Sequence, residues 1–221
     1  MHLILASTSP ARLALLRAAG IEPQLVSPDV DEEAVTEQAN ANAGATLGAH
    51  EVVELLARAK AEAAAAIYER TDETGGSDVS LILGGDSVFV LDDVIYGKTH
   101  SAEKARARWQ LQRGRTGVLY SGHWLIEVVG GVPGRAAGAV AVAEVSFADD
   151  ITDAELDAYI DTGEPLFVAG AFTIDSLGAP FITRIVGDPS TVVGLSLPTL
   201  RRLVSGLGHH WPDLWNRRGA L

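Results

Sequence analysis

The sequence predicts a single α/β domain. Its 221 residues are enough to bury a sizeable core, and 47% of them are apolar while only 6% are aromatic, which is typical of a globular protein. Strand-like and helical segments alternate, and neither an internal repeat nor a change in composition marks a second domain. We therefore expect one domain over residues 1–208 and a C-terminal tail over residues 209–221, in which no pattern is clear.

The first predicted elements are a strand and a short helix. The apolar run 2–6 indicates a strand, and the helix from Pro10 to Ala19 follows it because proline suits the first helical position. Gly20 can end that helix in a left-handed conformation. An extended segment, Pro23 to Ser27, comes next, and residues 34–48 are interpreted as a loop because they lack strong periodicity.

The middle of the chain is predicted to contain a long helix and two strands. Apolar residues recur at helical spacing from Ala49 to Arg70, and the polar stretch from Thr71 to Asp78 indicates a linker. Two apolar runs follow, Val79 to Leu83 and Ser87 to Leu91. The glycines of Gly84-Gly85-Asp86 between them predict a tight turn.

The remaining elements are predicted from turn residues, helix caps and long β-rich runs. A strand at 94–96 follows the turn Asp92-Asp93, and a helix runs from Ser101 to Arg113. Two long strands come next, Gly117 to Val129 and Ala137 to Phe147, joined by residues 130–134. The last elements are a helix from Thr152 to Asp161, a strand at Phe181 to Val186 and a helix from Pro198 to Ser205. The two long strands are expected to pair as an antiparallel hairpin.

Charge and composition disfavour several classes of function. The net charge of −12 opposes broad nucleic-acid binding, and the sparse aromatic residues oppose a single-strand binder. Without cysteine the chain has no disulfide, no thiolate zinc site and no Cys nucleophile. No apolar run approaches a membrane span and no basic leader precedes the first strand, so we expect a cytoplasmic protein without a membrane partner.

The junction between the first strand and the first helix has the pattern of an anion site. Ser7 and Ser9 place hydroxyl groups at the helix cap, and Arg12 lies in the first turn. The unpaired N–H groups and the positive end of the helix dipole favour a phosphate there. An ordinary capped helix would show the same pattern.

Acidic and basic candidates occur elsewhere in the chain. Asp86 follows two glycines that would let a ligand approach, so its carboxylate could bind Mg²⁺, act as a general base on water or serve as a turn residue. Asp31 and Glu32 would share a cation with Asp86 if they face it across a cleft. Lys60 and Lys98 could contact phosphate, although the sequence before Lys98 lacks the glycine that a P-loop requires.

An ordered set of short motifs runs through the chain to about residue 205. The stretches are Leu5-Ala6-Ser7-Thr8-Ser9-Pro10, Asp31-Glu32, Ala59-Lys60, Gly85-Asp86, Gly97-Lys98, Tyr159-Ile160, Thr162-Gly163-Glu164-Pro165, Ala169-Gly170-Ala171-Phe172, Gly187-Asp188 and Val193-Gly194-Leu195. Taken in this order, they resemble the Maf family of nucleoside triphosphate pyrophosphatases, in the form found in actinobacteria.

The resemblance implies a fold and a reaction. The fold is an elongated mixed β-sheet flanked by helices, as in Maf and ITPase-like proteins, with two lobes around a central cleft. The reaction is hydrolysis of a nucleoside triphosphate, including modified or non-canonical ones, to a monophosphate and pyrophosphate. A divalent cation (Mg²⁺, Mn²⁺ or Co²⁺) takes part, and a homodimer is common in the family.

The resemblance also implies roles for individual residues. Asp86 matches the proton acceptor, Asp31 and Glu32 match acidic residues near the metal and the attacking water, and Asp86 and Glu32 are the expected metal ligands. The phosphate-binding positions are Ser7, Ser9, Arg12, Lys60 and Lys98.

Departures from the family pattern leave the preferred base open. Ala11, Ser87 and Asp175 stand at positions where members of known base preference carry other side chains, and Val168 replaces a common lysine. Asp175 could accept hydrogen bonds from a base edge that bears donors, such as guanine or cytosine. The same departures favour an alternative function, a non-catalytic regulator of cell division that binds a nucleotide or a partner.

Overall fold

A computed structural model describes residues 1–71 and 79–217, so the predicted linker lies, beyond Thr71, outside the described residues. The strands are β1 (His2–Ala6), β2 (Gln24–Val26), β3 (Val79–Leu91), β4 (Val94–Tyr96), β5 (Thr116–Val129), β6 (Val132–Phe147) and β7 (Ile182–Val186). The helices are α1 (Pro10–Ala18), α2 (Glu32–Ala43), α3 (Ala49–Thr71), α4 (Ala102–Gln112), α5 (Asp153–Asp161), α6 (Pro189–Val193) and α7 (Leu197–Gly206). Among these helices, none is long and apolar enough to cross a bilayer.

The strands form one mixed sheet in the order β2-β1-β3-β5-β6-β7, with β4 paired to β3. β1 is parallel to both of its neighbours, and the pairs β3–β5, β5–β6 and β6–β7 are antiparallel. The predicted α/β class, with an elongated mixed β-sheet flanked by helices, is confirmed.

The centre of the sheet is one continuous strand where two were predicted. β3 runs through Gly84, Gly85 and Asp86, and Asp86 pairs with Gly122 of β5. The two glycines of β3 were interpreted as turn residues, and that prediction is wrong because neither has the positive φ of a glycine turn.

Helix α3 lies directly on the sheet at two glycines. A Cβ added at Gly84 would overlap the carbonyl oxygen of Ala57, and one added at Gly122 would overlap that of Val53. Glycine is therefore needed at these positions because the backbone of a helix occupies the space of a side chain.

Two hydrophobic clusters lie toward opposite ends of β3. One contains Leu81 and Leu83 with residues of β1, α1 and α7, and the other contains Phe89 and Leu91 with residues of α4, α5 and the end of β6. The segment from Gly84 to Ser87 lies between them in the strand, so the two clusters form the cores of two lobes and β3 connects them.

Helix α2 occupies part of the region that was predicted to be a loop. Asp31 caps it by accepting a hydrogen bond from the N–H of Ala34, and Gly44 ends it with φ of 66°. None of its residues is buried. A helix without a buried face needs no apolar stripe, which is why hydrophobic periodicity missed it.

The hairpin and the C-terminal half differ in detail from the predictions. β5 and β6 are joined by Gly130-Gly131, both with positive φ, so the turn is shorter than predicted and β6 begins at Val132. The short helix α6 was not predicted. The helices and strands predicted between Ser101 and Ser205 are present. Apart from those of the hairpin, their ends differ from the predicted ones by one or two residues.

Part of the C-terminal tail packs on the domain. A 3₁₀ helix spans Trp211–Leu214, and Leu214 is buried in the cluster of β1 and α1. The N–H of Arg217 donates to the carbonyl oxygen of Gly20 at 3.1 Å. This segment therefore covers the end of α1.

His123 of β5 connects the sheet to the start of α7. Its Nε2 accepts a hydrogen bond from the N–H of Ser196 at 2.8 Å, and its Nδ1 lies 3.3 Å from the carbonyl oxygen of Ala139. The ring is fully buried, and burial lowers the pKa of His123 to about 4, with the charge of Arg12 acting in the same direction. The imidazole is therefore neutral at pH 7.

We expect Gly122→Ala to destabilise the fold by at least about 2 kcal/mol, because the backbone of α3 must move to admit the methyl group. Urea denaturation measures the change. Gly206→Ala is the matched control, since nothing lies within 4 Å of a Cβ added there. Equal stability of the two variants would contradict the close contact of α3 with the sheet.

We also expect stability to fall as the pH drops from 6.5 toward 4, because the unfolded chain protonates His123 in this range and the folded chain does not. The loss is roughly 3 kcal/mol and is complete below the folded-state pKa. Chemical denaturation at stepped pH measures it. His123→Gln should flatten the slope, whereas His50→Gln, on the exposed surface of α3, should leave it; an unchanged slope in the first variant would contradict the prediction.

Candidate active site

The junction between β1 and α1 has the predicted cap. Ser9 accepts a hydrogen bond from the N–H of Arg12 at 3.4 Å, and Ser7 accepts one from the N–H of Ser9 at 3.2 Å. Pro10 occupies the first turn of α1. Both hydroxyl groups are therefore held at the beginning of the helix, where its dipole is positive.

Arg12 is buried and connects three distant segments. Its Nε donates to the carbonyl oxygen of Gly194 at 2.8 Å, one Nη donates to Ser7 Oγ at 3.1 Å and the other to Ser87 Oγ at 3.0 Å. Burial lowers the pKa of Arg12, while the charges of Asp86 and Glu32 oppose that shift. A guanidinium remains charged in proteins, so Arg12 places a fixed cation between the two lobes.

Asp86, Lys60 and Glu32 form a charge cluster beside Arg12. The ammonium group of Lys60 lies 2.6 Å from Asp86 Oδ1 and 2.7 Å from Glu32 Oε1. The side chains of Asp86 and Lys60 are 10% and 12% exposed, whereas that of Glu32 is 52% exposed. The two carboxylates thus face one ammonium group, that of Lys60.

The pKa of Asp86 is higher than that of an ordinary aspartate. Burial raises the pKa, Lys60 and Arg12 lower it, and the nearby charge of Glu32 raises it. The carboxylate is therefore more basic than one at the surface, which suits a group that accepts a proton from water.

Asp31 lies at the edge of this arrangement. Its carboxylate accepts from the N–H of Ala34 at 3.0 Å and is not part of the cleft wall, whereas Glu32 is. The cap fixes the start of α2, and the first residue of that helix is Glu32. The structure thus gives Asp31 a contact that orients its neighbour.

Ser87 belongs to a chain of hydroxyl groups behind the site. Its Oγ lies 2.8 Å from that of Ser121, which donates to the carbonyl oxygen of Thr191 at 2.9 Å. Ser87 also accepts from Arg12. Its hydroxyl is therefore engaged in holding Arg12.

The charged residues line a cleft of about 700 Å³. Its wall includes every predicted site residue except Asp31. These residues are Ser7, Ser9, Ala11, Arg12, Glu32, Lys60, Asp86, Ser87, Lys98 and Asp175. Apolar side chains supply much of the rest, among them Phe167, Val168 and Ile174. Cations and carboxylates thus share one cavity with an apolar wall, the usual make-up of a small-molecule site.

Glu164 orders the loop that carries Asp175. Its carboxylate accepts hydrogen bonds from the hydroxyl groups of Tyr159 (3.0 Å), Thr173 (2.5 Å) and Ser176 (2.6 Å), and from the N–H groups of residues 177 and 178. Partial burial raises the pKa of Glu164, but the hydrogen bonds from Ser176 and Thr173 outweigh it and leave the pKa lowered. The motif around Glu164 was noticed in the sequence, yet no role was predicted for it.

Glu32 and Asp86 are the residues that could hold a divalent cation. Mg²⁺ is commonly bound by one or two protein carboxylates and completed by phosphate oxygens and water. Within the described residues no group of three or more His, Asp or Glu could hold a metal. Protein carboxylates for a cation at this site are thus limited to Glu32 and Asp86, both of which contact Lys60.

Known proteins resemble this chain over its whole length. A family model described as "Maf-like protein" matches residues 2–207. A "Nucleoside triphosphate pyrophosphatase" of Leifsonia xyli subsp. xyli, an actinobacterium, is 60% identical over 220 residues, which is 100% of this chain and 99% of the relative. A protein of the same name from Salinispora tropica is 46% identical, over 98% of this chain and 88% of the relative. Another from Thermosynechococcus vestitus is 45% identical, over 97% of this chain and 98% of the relative.

The family match and these identities agree with the ordered motifs, the mixed sheet and the charged cleft between its lobes. The chain belongs to the Maf family.

Proposed function

We propose that this protein is a nucleoside triphosphate pyrophosphatase, a hydrolase of phosphoric anhydrides that releases a nucleoside monophosphate and pyrophosphate. The observation that carries the proposal is the contact of Asp86, a buried carboxylate with a raised pKa, with Lys60 in the same cleft as Arg12. The names of the relatives support the same reaction. Modified or non-canonical nucleotides are the proposed substrates.

Asp86 is the group that activates water. Its carboxylate accepts a proton as the water oxygen attacks the α-phosphorus, and the bond from that phosphorus to the bridging oxygen breaks. Pyrophosphate leaves with the electrons of that bond. Negative charge grows on the phosphate oxygens, and Arg12, Lys60 and Lys98 stabilise it from the cleft wall.

Ser7 and Ser9 bind the triphosphate chain of the substrate. Their hydroxyl groups lie at the positive end of α1, where Ser7 accepts from the guanidinium of Arg12 and Ser9 from its backbone N–H. This arrangement orients the triphosphate chain, so that the α-phosphorus faces Asp86. We assign Asp31 a supporting part, because its cap positions Glu32.

Glu32 and Asp86 would hold the divalent cation, which we propose is Mg²⁺, Mn²⁺ or Co²⁺. When bound, the cation neutralises charge on the phosphate oxygens. Lys60 contacts both carboxylates and keeps them together before a substrate enters. Its ammonium group then has phosphate oxygens as an alternative partner.

A regulator of cell division that binds a nucleotide without hydrolysing it is the alternative function. The absence of the family's side chains at Ala11 and Val168 favours it. The two functions differ in whether pyrophosphate appears. We also propose a role in cell-division arrest, a cytoplasmic location and a homodimer.

We expect the purified protein to release pyrophosphate from nucleoside triphosphates with Mg²⁺, Mn²⁺ or Co²⁺, and Asp86→Asn to lower kcat at least about 100-fold. A coupled pyrophosphate assay across bases and metals measures both. The amide should not unfold the protein, since burial already disfavours the charged carboxylate; circular dichroism checks this.

Asp93→Asn is the matched control, because Asp93 lies in the exposed β3–β4 turn with φ of 61°, a conformation that asparagine also adopts. Its activity should equal that of the wild type. Turnover close to the wild type in Asp86→Asn would remove the assigned role, and no turnover of any substrate by the wild type would favour the regulator.

Asp175 generates a prediction about the base. We expect GTP and CTP to be used better than UTP, and Asp175→Asn to reduce that preference about tenfold, because the amide supplies a donor where the base also donates. The ratio of kcat/KM values measures it. Asp161→Asn, at the exposed end of α5, is the control, and a strong preference of the wild type for uridine triphosphates would contradict the prediction.

A further inference from the structure

Phe167 is an aromatic side chain that the core does not use. It is 64% exposed, although Leu166 before it packs against the core and Val168 after it lines the cleft. The ring lies on the wall of the cavity that also contains Arg12 and Lys60. A large apolar surface left open inside a charged cleft is suited to a ligand with an apolar face.

His100 supports this ring from the neighbouring loop. The two ring centroids are 5.9 Å apart with an interplanar angle of 69°, an edge-on contact. His100 has φ of 55°, which is uncommon for a residue with a side chain, and its N–H donates to the carbonyl oxygen of Leu166 at 2.9 Å. An edge-on neighbour steadies the Phe167 ring, and the hydrogen bond to Leu166 holds that neighbour in place.

The segment that carries Phe167 is itself held firmly. A 3₁₀ helix spans Glu164–Phe167, and Pro165 within it is buried. At its start, Glu164 accepts several hydrogen bonds from the loop of Asp175. The aromatic ring and the acidic side chain of Asp175 therefore belong to one ordered part of the cleft.

We infer that Phe167 is the stacking platform for the nucleobase of the substrate. The inference rests on the proposed function and deepens it, because the phosphate chain is bound by the cations of the cleft and the base needs an apolar partner. Every nucleobase has a π-face, so stacking on Phe167 accepts purines and pyrimidines alike. Asp175 then discriminates among them at the base edge.

Phe167→Ala should weaken binding of every α,β-methylene nucleoside triphosphate about tenfold and raise KM with little change in kcat, because the lost contact is the same in the ground and transition states. Phe167→Leu should also bind weakly, since it keeps apolar bulk and loses the π-face, while Phe167→Trp should restore binding. Titration calorimetry with the non-hydrolysable analogues and steady-state kinetics measure these effects.

Inorganic tripolyphosphate is the internal control, because it has the phosphate chain without a base. Its inhibition constant, measured by displacement of the analogue, should not change in Phe167→Ala. Leu111→Ala on α4, another exposed apolar side chain but outside the cleft, should leave all constants unchanged.

Three outcomes would overturn the inference: unchanged nucleotide affinity in Phe167→Ala, equal weakening of nucleotide and tripolyphosphate, or a change in sedimentation without a change in affinity, which would indicate contact with a second copy. The binding measurements do not depend on turnover. A wild-type protein that binds the analogues but releases no pyrophosphate would therefore contradict the proposed function and still test Phe167.

Discussion

The close contact of α3 with the sheet is the constraint on which the site depends. The helix backbone rests on β3 and β5 at Gly84 and Gly122, where no side chain fits. Because the helix lies this close, Lys60 reaches Asp86 two residues farther along β3. A larger residue at either glycine would separate the helix from the strand and the cation from the carboxylate.

Burial of the charged side chains of Arg12 and Asp86 costs free energy of folding and places both groups in the cleft. Burial lowers the pKa of Arg12 and raises that of Asp86, so it favours the neutral form of each side chain, and the opposite charges nearby limit both shifts. The fold retains these charges because Arg12 is bonded to three segments that the chain supplies from positions 7, 87 and 194. The same bonds that satisfy the guanidinium also bring the two lobes together around the cleft.

We propose that one part of the cleft serves the reaction and another binds the base. Arg12 of α1, Glu32 of α2 and Lys60 of α3 surround Asp86. The ordered segment after α5 presents Phe167 and Asp175 to the cleft. Glu164 links the two loops of the second part through its hydrogen bonds. On this proposal, the departures at Asp175 and Val168 alter the part that binds the base and leave the reacting groups in place.

Local chemistry determined much of this protein. The cap at Ser9, the capping box at Thr152 and the stripe of α3 depend on neighbours within a turn or two, so the sequence predicted them. The family motifs predicted the candidate site residues, which all line the cleft except Asp31. Only the tertiary structure decided that Gly84-Gly85-Asp86 lies inside a strand, that Asp31 caps a helix, and that Phe167 stays open to the cleft. Those features depend on which distant backbone lies against each residue, and no local pattern contains that information.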